Sequence, residues 1–126
     1  MTARRAARLL DPVLRQGRFV FVSLPALPPG LTPVATVAEP EGLSAVLSLE
    51  EAAELGIAHD FVAAMVTLRL DSALDAVGLT AAVSTALARA GIACNVVAGY
   101  HHDHLFVPYE RVEEALAILG GLDAPG

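Results

Sequence analysis

Phe61-Val62-Ala63-Ala64-Met65-Val66-Thr67-Leu68-Arg69-Leu70 decides how the rest of the chain is read. The stretch has no Gly or Pro, and by its end Val66, Leu68 and Leu70 alternate with Thr67, Arg69 and Asp71. That period of two predicts a strand with one buried face. Downstream, Ser72–Leu79 reads as a loop with Gly78 near its end. A helix follows, because Leu79, Val83, Leu87 and Ala90 recur at steps of three or four and share a face. Gly91 ends it. Ile92–Gly99 is predicted as a strand, Tyr100–His104 as a turn and Leu105-Phe106-Val107 as a short strand. After Pro108 a last helix turns Val112, Ala115, Leu116 and Leu119 inward, and Arg111, Glu113 and Glu114 outward, until Gly120-Gly121. The order is strand, helix, strand, strand, helix. It lacks only the final strand of a ferredoxin-like βαββαβ unit, for which too few residues remain.

Upstream the same order recurs with its first helix missing. Phe19-Val20-Phe21-Val22 is a short run of strand formers. Leu24–Pro33 contains Pro25, Pro28, Pro29, Gly30 and Pro33, so no helix passes through it. Val34–Ala38 and Leu43–Leu47 pair across the turn Glu39-Pro40-Glu41-Gly42. Ser48-Leu49-Glu50-Glu51 is a capping box that opens a short helix ending at Gly56. Phe61–Leu70 is then placed to close this first unit, so two truncated copies complete each other by lending strands. Residues 1–17 are basic and lack a clear apolar face, and the expectation there is a weakly ordered segment. The chain thus divides into a basic N-terminal segment (1–17), a truncated unit (18–60) and a fuller unit (61–122). The fold class expected is α+β, an antiparallel sheet with helices on one face.

Composition narrows the function. Of 126 residues, 55% are apolar and 17% charged, too hydrophobic a mix for disorder. The net charge is −6, yet residues 1–18 carry +4, leaving −10 on the remainder. Such a surface argues against nucleic-acid binding. The chain has no lysine, which excludes a phosphate-loop lysine and a lysine Schiff base. Cys94, the one cysteine, forms no internal disulfide, and a reducing cytoplasm fits best. The arginines before Leu9-Leu10 imitate a signal peptide, but Asp11, Pro12, Arg15 and Arg18 interrupt the apolar run. Val77–Tyr100 is long enough to span a bilayer. Arg89 within it and the change of period at Gly91 make it a buried helix and strand instead, so no membrane partner is expected.

Several of these stretches resemble one family. Val77–Leu87 with Ala90-Gly91-Ile92 is similar to the first helix and second strand of ACT domains. The run Cys94-Asn95-Val96-Val97-Ala98-Gly99-Tyr100-His101-His102-Asp103-His104-Leu105-Phe106-Val107-Pro108 is more specific and resembles small bacterial tandem ACT proteins. Phe19–Leu47 resembles their N-terminal half, and the likeness covers about residues 18–120. More remotely, Tyr100-x-x-Asp103 is similar to a segment of the arginine-sensing ACT proteins of animal cells. The resemblance implies binding of a small effector, most often an amino acid, for regulation. It also implies that the strand holding Asn95 and Val97 lines the effector site.

An amino acid presents a carboxylate, an ammonium and a side chain. The carboxylate suits the amides of a helix N-terminus, which carry roughly half a positive charge. The expected seat is the loop and first turn Ser72, Val77, Gly78, Leu79 and Thr80. Gly78 allows close approach there, and Thr80 either caps the helix or meets the ligand. The ammonium suits a carboxylate or carbonyls; the resemblance implies that Asp103 lies near the strand-end pocket and makes it the first choice, with Asp71 and Asp75 as rivals. Asn95 offers both a donor and an acceptor, and Val97 and Tyr100 complete the set. His101-His102-Asp103-His104, with His59 or a second chain, leaves a metal-responsive alternative open, since His102 and His104 share a face on an extended strand. No positioned nucleophile–base pair is apparent, so neither an enzyme nor a cofactor is expected. A one-layer sheet with a bare face and open edges predicts a homodimer. A protein-interaction module without a ligand remains the second alternative.

Overall fold

The computed structural model describes residues 10–70 and 74–122. Seven strands form one sheet: β1 (Pro12–Leu14), β2 (Phe19–Leu24), β3 (Ala35–Glu39), β4 (Gly42–Ser48), β5 (Val62–Leu68), β6 (Asn95–Ala98) and β7 (Asp103–Pro108). The helices are α1 (Leu49–Glu54), α2 (Leu79–Arg89) and α3 (Val112–Gly120), the last preceded by a 3-10 turn at Tyr109–Arg111. The sheet order is β3-β4-β2-β5-β7-β6, and β1 also pairs with β5. Every pairing is antiparallel. The fold is therefore the expected α+β arrangement of ferredoxin-like units. Among the described residues no helix is long and apolar enough to cross a membrane.

β5 holds the two units together. One edge pairs with β7 from Ala63 to Leu68. The other edge is shared, because β2 takes Val62 and Ala63 while β1 takes Val66 to Leu68. The beginning of β5 thus closes the first unit. β1 occupies the edge on which a βαββαβ unit carries its last strand. For residues 10–17 this corrects the expectation of a weakly ordered segment; residues 1–9 lie outside the described residues. Leu10 is 1% exposed and packs with Leu68, Leu79 and Leu119, and the amides of Arg69 and Leu70 donate to the carbonyls of Asp11 and Leu10. Between Leu14 and Phe19 the chain advances five residues while β5 advances three. The extra residues form a bulge at Gly17, whose φ of 99° suits glycine.

All three helices lie on one face. Ala64, Val66 and Leu68 of β5, with Leu105 and Val107 of β7, meet Leu79, Val83 and Leu87 of α2 and Val112, Ala115 and Leu119 of α3. Each fully buried leucine contributes about 1.5–3 kcal/mol by leaving water. Ala52 of α1 packs on Val20, Val22, Leu24, Ala45 and Leu47. Val20 pairs directly with Val62, so this second cluster continues the same face. Ser48 caps α1 by accepting from the Glu51 amide at 3.1 Å, as the capping box predicts. On the opposite face Val46, Ala63, Met65 and Phe106 form a smaller core. Phe19 and Phe21 meet Phe106 edge-on, with centroids 6.2 and 5.3 Å away.

Local bounds differ from the reading in instructive ways. Residues 92–94 are not in a strand, and β6 starts only at Asn95. β7 starts at Asp103, so Asp103 and His104 belong to a strand rather than a turn, leaving Gly99–His102 to join β6 and β7. The amide of Gly99 closes that turn by donating to the His102 carbonyl at 2.9 Å.

Candidate functional site

The corner where α2 begins is built by local rules. Gly78 is the N-cap of α2 at a φ of 103°, a conformation open to glycine, and it has no side chain to bond the first-turn amides. Those amides bear the positive end of the helix dipole. Leu79 is buried and anchors the turn, while Thr80 is exposed. Beside this turn runs the start of β7. Asp103 pairs with Leu68 and Ala98, and its alternation with Leu105 and Val107 aims it toward the helix layer. Leu74, Ala76, Leu79, Thr80, Ala98, Gly99, His102 and Asp103 together enclose a cavity of about 80 Å³. Loop, helix start and aspartate therefore meet around one hollow.

The remaining candidates are dispersed. Val77 is exposed beside Gly78, at 93%, and Tyr100 is 81% exposed with its ring edge-on to His101 at 5.1 Å. Ser72 and the rival Asp71 lie outside the described residues. Asp75 is exposed in the loop. Asn95 and Val97 sit across the sheet from the corner, because they pair with Phe106 and His104 of the helix-free face. Thr80 does not cap the helix. It stands inside the first turn, and its carbonyl accepts from Ser84 Oγ at 2.7 Å.

The histidines do not gather as an extended strand would gather them. His102 is in the turn and lines the corner cavity, whereas His104 faces the opposite side, its Nδ1 2.9 Å from Thr67 Oγ1. His59 Nδ1 lies 3.1 Å from the Ile57 carbonyl in the first unit. No group of three His, Cys, Asp or Glu side chains among the described residues is placed to hold a metal ion. Burial lowers the pKa of His104, Arg15 and His102 lower it further, and Asp103 opposes them. Burial pushes the Cys94 thiol upward, in keeping with its packing against the main core.

Two polar residues, Arg15 and Thr67, stand outside the expected set. Arg15 Nη1 donates to Thr67 Oγ1 at 3.4 Å, forming a polar line with His104 on the helix-free face. Thr67 in an alternating strand was a visible signal. Arg15 sits in the segment expected to be weakly ordered and gave none.

An ACT-domain profile matches residues 7–64, and a second ACT-domain profile matches residues 61–120. No curated protein matches the chain. A Vibrio cholerae protein of unknown function, described as a possible transport protein, is 43% identical; the match covers 90% of this chain and 89% of that one, with a TM-score of 0.84. An Agrobacterium tumefaciens protein shares the fold at 22% identity and a TM-score of 0.75, over 90% and 88% of the two chains. So does the regulatory subunit of aspartate kinase from Thermus flavus, at 13% identity and 0.60, over 89% and 96%. Two consecutive profile matches and the likeness to the Vibrio protein agree with the strand order: the chain belongs to the ACT-domain family and carries two ACT domains in tandem.

Proposed function

We propose that this protein is a regulatory ACT protein whose ligand is an amino acid bound at the α2 corner. ACT domains are regulatory, ligand-binding modules, and the observation that supports an amino acid here is the cavity shared by the first turn of α2 and Asp103. The first-turn amides receive the carboxylate, as helix N-termini receive anions. Asp103 receives the ammonium, in a charge-assisted bond stronger than a neutral one. At about 80 Å³ the hollow is smaller than the usual ~300–1,000 Å³ of small-molecule pockets. It holds the backbone end of an amino acid and leaves the side chain toward Val77 and Tyr100. Asn95 and Val97 take no part in it. The chain has no catalytic role in this reading and acts in the cytoplasm. Residues 18–60 and 61–122 form its two units, and it assembles as a homodimer.

A thermal-shift panel of the twenty common amino acids tests the reading. At about a hundred times its dissociation constant, a true ligand adds about 2.7 kcal/mol of stability. Asp103→Asn removes the charge with little change of shape and should abolish the shift. A panel in which no amino acid moves the melt refutes the reading, as does a shift that Asp103→Asn leaves intact.

A further inference from the structure

The helix-free side of the sheet is concave, and a cavity of about 780 Å³ lies in it. Phe19, Val34, Ala35, Met65 and Val97 form apolar walls, with Arg15 and His104 set among them. A hollow of about 310 Å³ adjoins it, sharing Ala35, Val97 and Ala98. Ala35 belongs to β3 and Val97 to β6, the two ends of the sheet order, so the sheet curls far enough for its edges to face one another.

The polar part of this cavity is specific. Thr67 is the buried polar side chain among the described residues, and it lies between Arg15 and His104. Arg15 uses one guanidinium nitrogen on Thr67. The rest of its planar fork has the geometry that carboxylates fit. None of the described residues lining the cavity is acidic. His104, with its lowered pKa, stays neutral at neutral pH, so the fixed positive charge here is the guanidinium. An apolar concavity with one arginine at its edge calls for an amphipathic anion.

We propose that this concave face is a second ligand site, which takes a monocarboxylate with an apolar tail: the carboxylate on Arg15, the tail along Phe19, Met65 and Val97. The proposal does not rest on the amino-acid reading, because none of the residues given to the carboxylate and its tail here takes part in that one, although Ala98 and Gly99 line both cavities.

Calorimetric titration of the full chain with butyrate, hexanoate, octanoate, decanoate and 1-octanol tests it. Affinity should rise about fourfold per added methylene, from the free energy of burying each one. Octanoate should bind at least about tenfold more tightly than 1-octanol, since hydrogen bonds to charged groups exceed neutral ones by that order. Arg15→Gln should bring octanoate down to the level of the alcohol while keeping the dependence on tail length. Val97→Asp, a separate change on an edge strand, should abolish octanoate binding, and Asp103→Asn should leave it unchanged. Equal affinity for acid and alcohol, or full octanoate affinity in Arg15→Gln, overturns the proposal. So does silence across the series, including the case in which sedimentation shows a dimer that Val37→Glu dissociates and whose contact excludes octanoate.

Discussion

Leu10→Ala removes a side chain that is 1% exposed yet comes from a segment with no hydrophobic period of its own. Leu10 is held from both sides. Its carbonyl accepts from the Leu70 amide at 3.3 Å, and the next carbonyl, that of Asp11, accepts from the Arg69 amide at 3.0 Å. The strand beyond it is fixed by three pairs with β5 and by the Arg15 amide on the Met65 carbonyl at 2.8 Å. A segment tied this closely cannot collapse into the space the leucine leaves. The cost should therefore lie well within the ~2–5 kcal/mol range of buried Leu→Ala changes. A domain of this size has only about 5–15 kcal/mol to lose. With a urea slope of about 1–3 kcal/mol per molar, the unfolding midpoint should fall by about 1 M or more. Leu14→Ala is the control: Leu14 lies on the same segment at 43% exposure, and its loss should cost less than about 1 kcal/mol. Urea unfolding followed by circular dichroism reads both. If Leu10→Ala and Leu14→Ala give the same small shift, the N-terminal segment is not docked on β5, and the account of how the second unit is completed is wrong.

Two further outcomes follow from named contacts. Arg111 donates to the carbonyls of Ala90 and Gly91, both at 3.0 Å, and so ties the C-terminal end of α2 to the start of α3. Arg111→Ala should cost about 1–2 kcal/mol in chemical unfolding, at the lower end for bonds to a charged group because the side chain is partly exposed. Glu114→Gln, which removes only the negative charge of the exposed ion pair, should cost less than about 1 kcal/mol. His104 binds its proton more weakly in the folded protein than the ordinary value near 6.5 allows. The stability linked to it is present above about pH 6.5 and is lost as pH falls through the lower folded value. Urea midpoints measured from pH 8 to pH 5 should fall, and His104→Gln should flatten that part of the slope.

Much of the fold was legible because local signals agreed with tertiary need. The spacing of Leu79, Val83 and Leu87 and the Ser48 capping box each appear as expected. The alternation in Val66–Leu70 does not leave one face exposed: β5 ends at Leu68 and is buried on both faces, Thr67 included, because the small core around Phe106 covers the second one. The proline-rich stretch before Val34 holds no helix. The N-terminal segment was not legible, since a three-residue strand needs no period when an existing edge templates it. The candidate site was readable where one element dictates it: Gly78, Leu79 and Thr80 follow from the start of a helix. Asp103 is indicated by resemblance rather than by local pattern, and its facing depends on where β7 begins. Moving that start from Leu105 to Asp103 takes His104 into the strand, on the helix-free face, while His102 stays in the turn, and so separates the two histidines. Arg15 and Thr67 stand far apart in sequence, and only the pairing of β1 with β5 brings them together.

The turn between β6 and β7 is the point at which the two faces of the sheet meet. Ala98 and Gly99 line both the α2 corner and the concave cavity. A side chain at Gly99 would require its neighbours to give by a few tenths of an ångström. An added Cβ would stand 3.0 Å from the His102 carbonyl and 3.2 Å from His104 Nε2. One neighbour belongs to the turn beside the corner, and the other lies on the opposite face. A shift of this turn therefore cannot be confined to one side, because interiors packed like organic crystals pass on displacement rather than absorb it. Gly99→Ala should move the backbone amide resonances of Thr80, near the corner, and of Met65, in the concave wall, while leaving those of α1 in place. Shifts on only one face would show that the turn flexes independently of one cavity. Binding at the two would then be uncoupled, however close they lie.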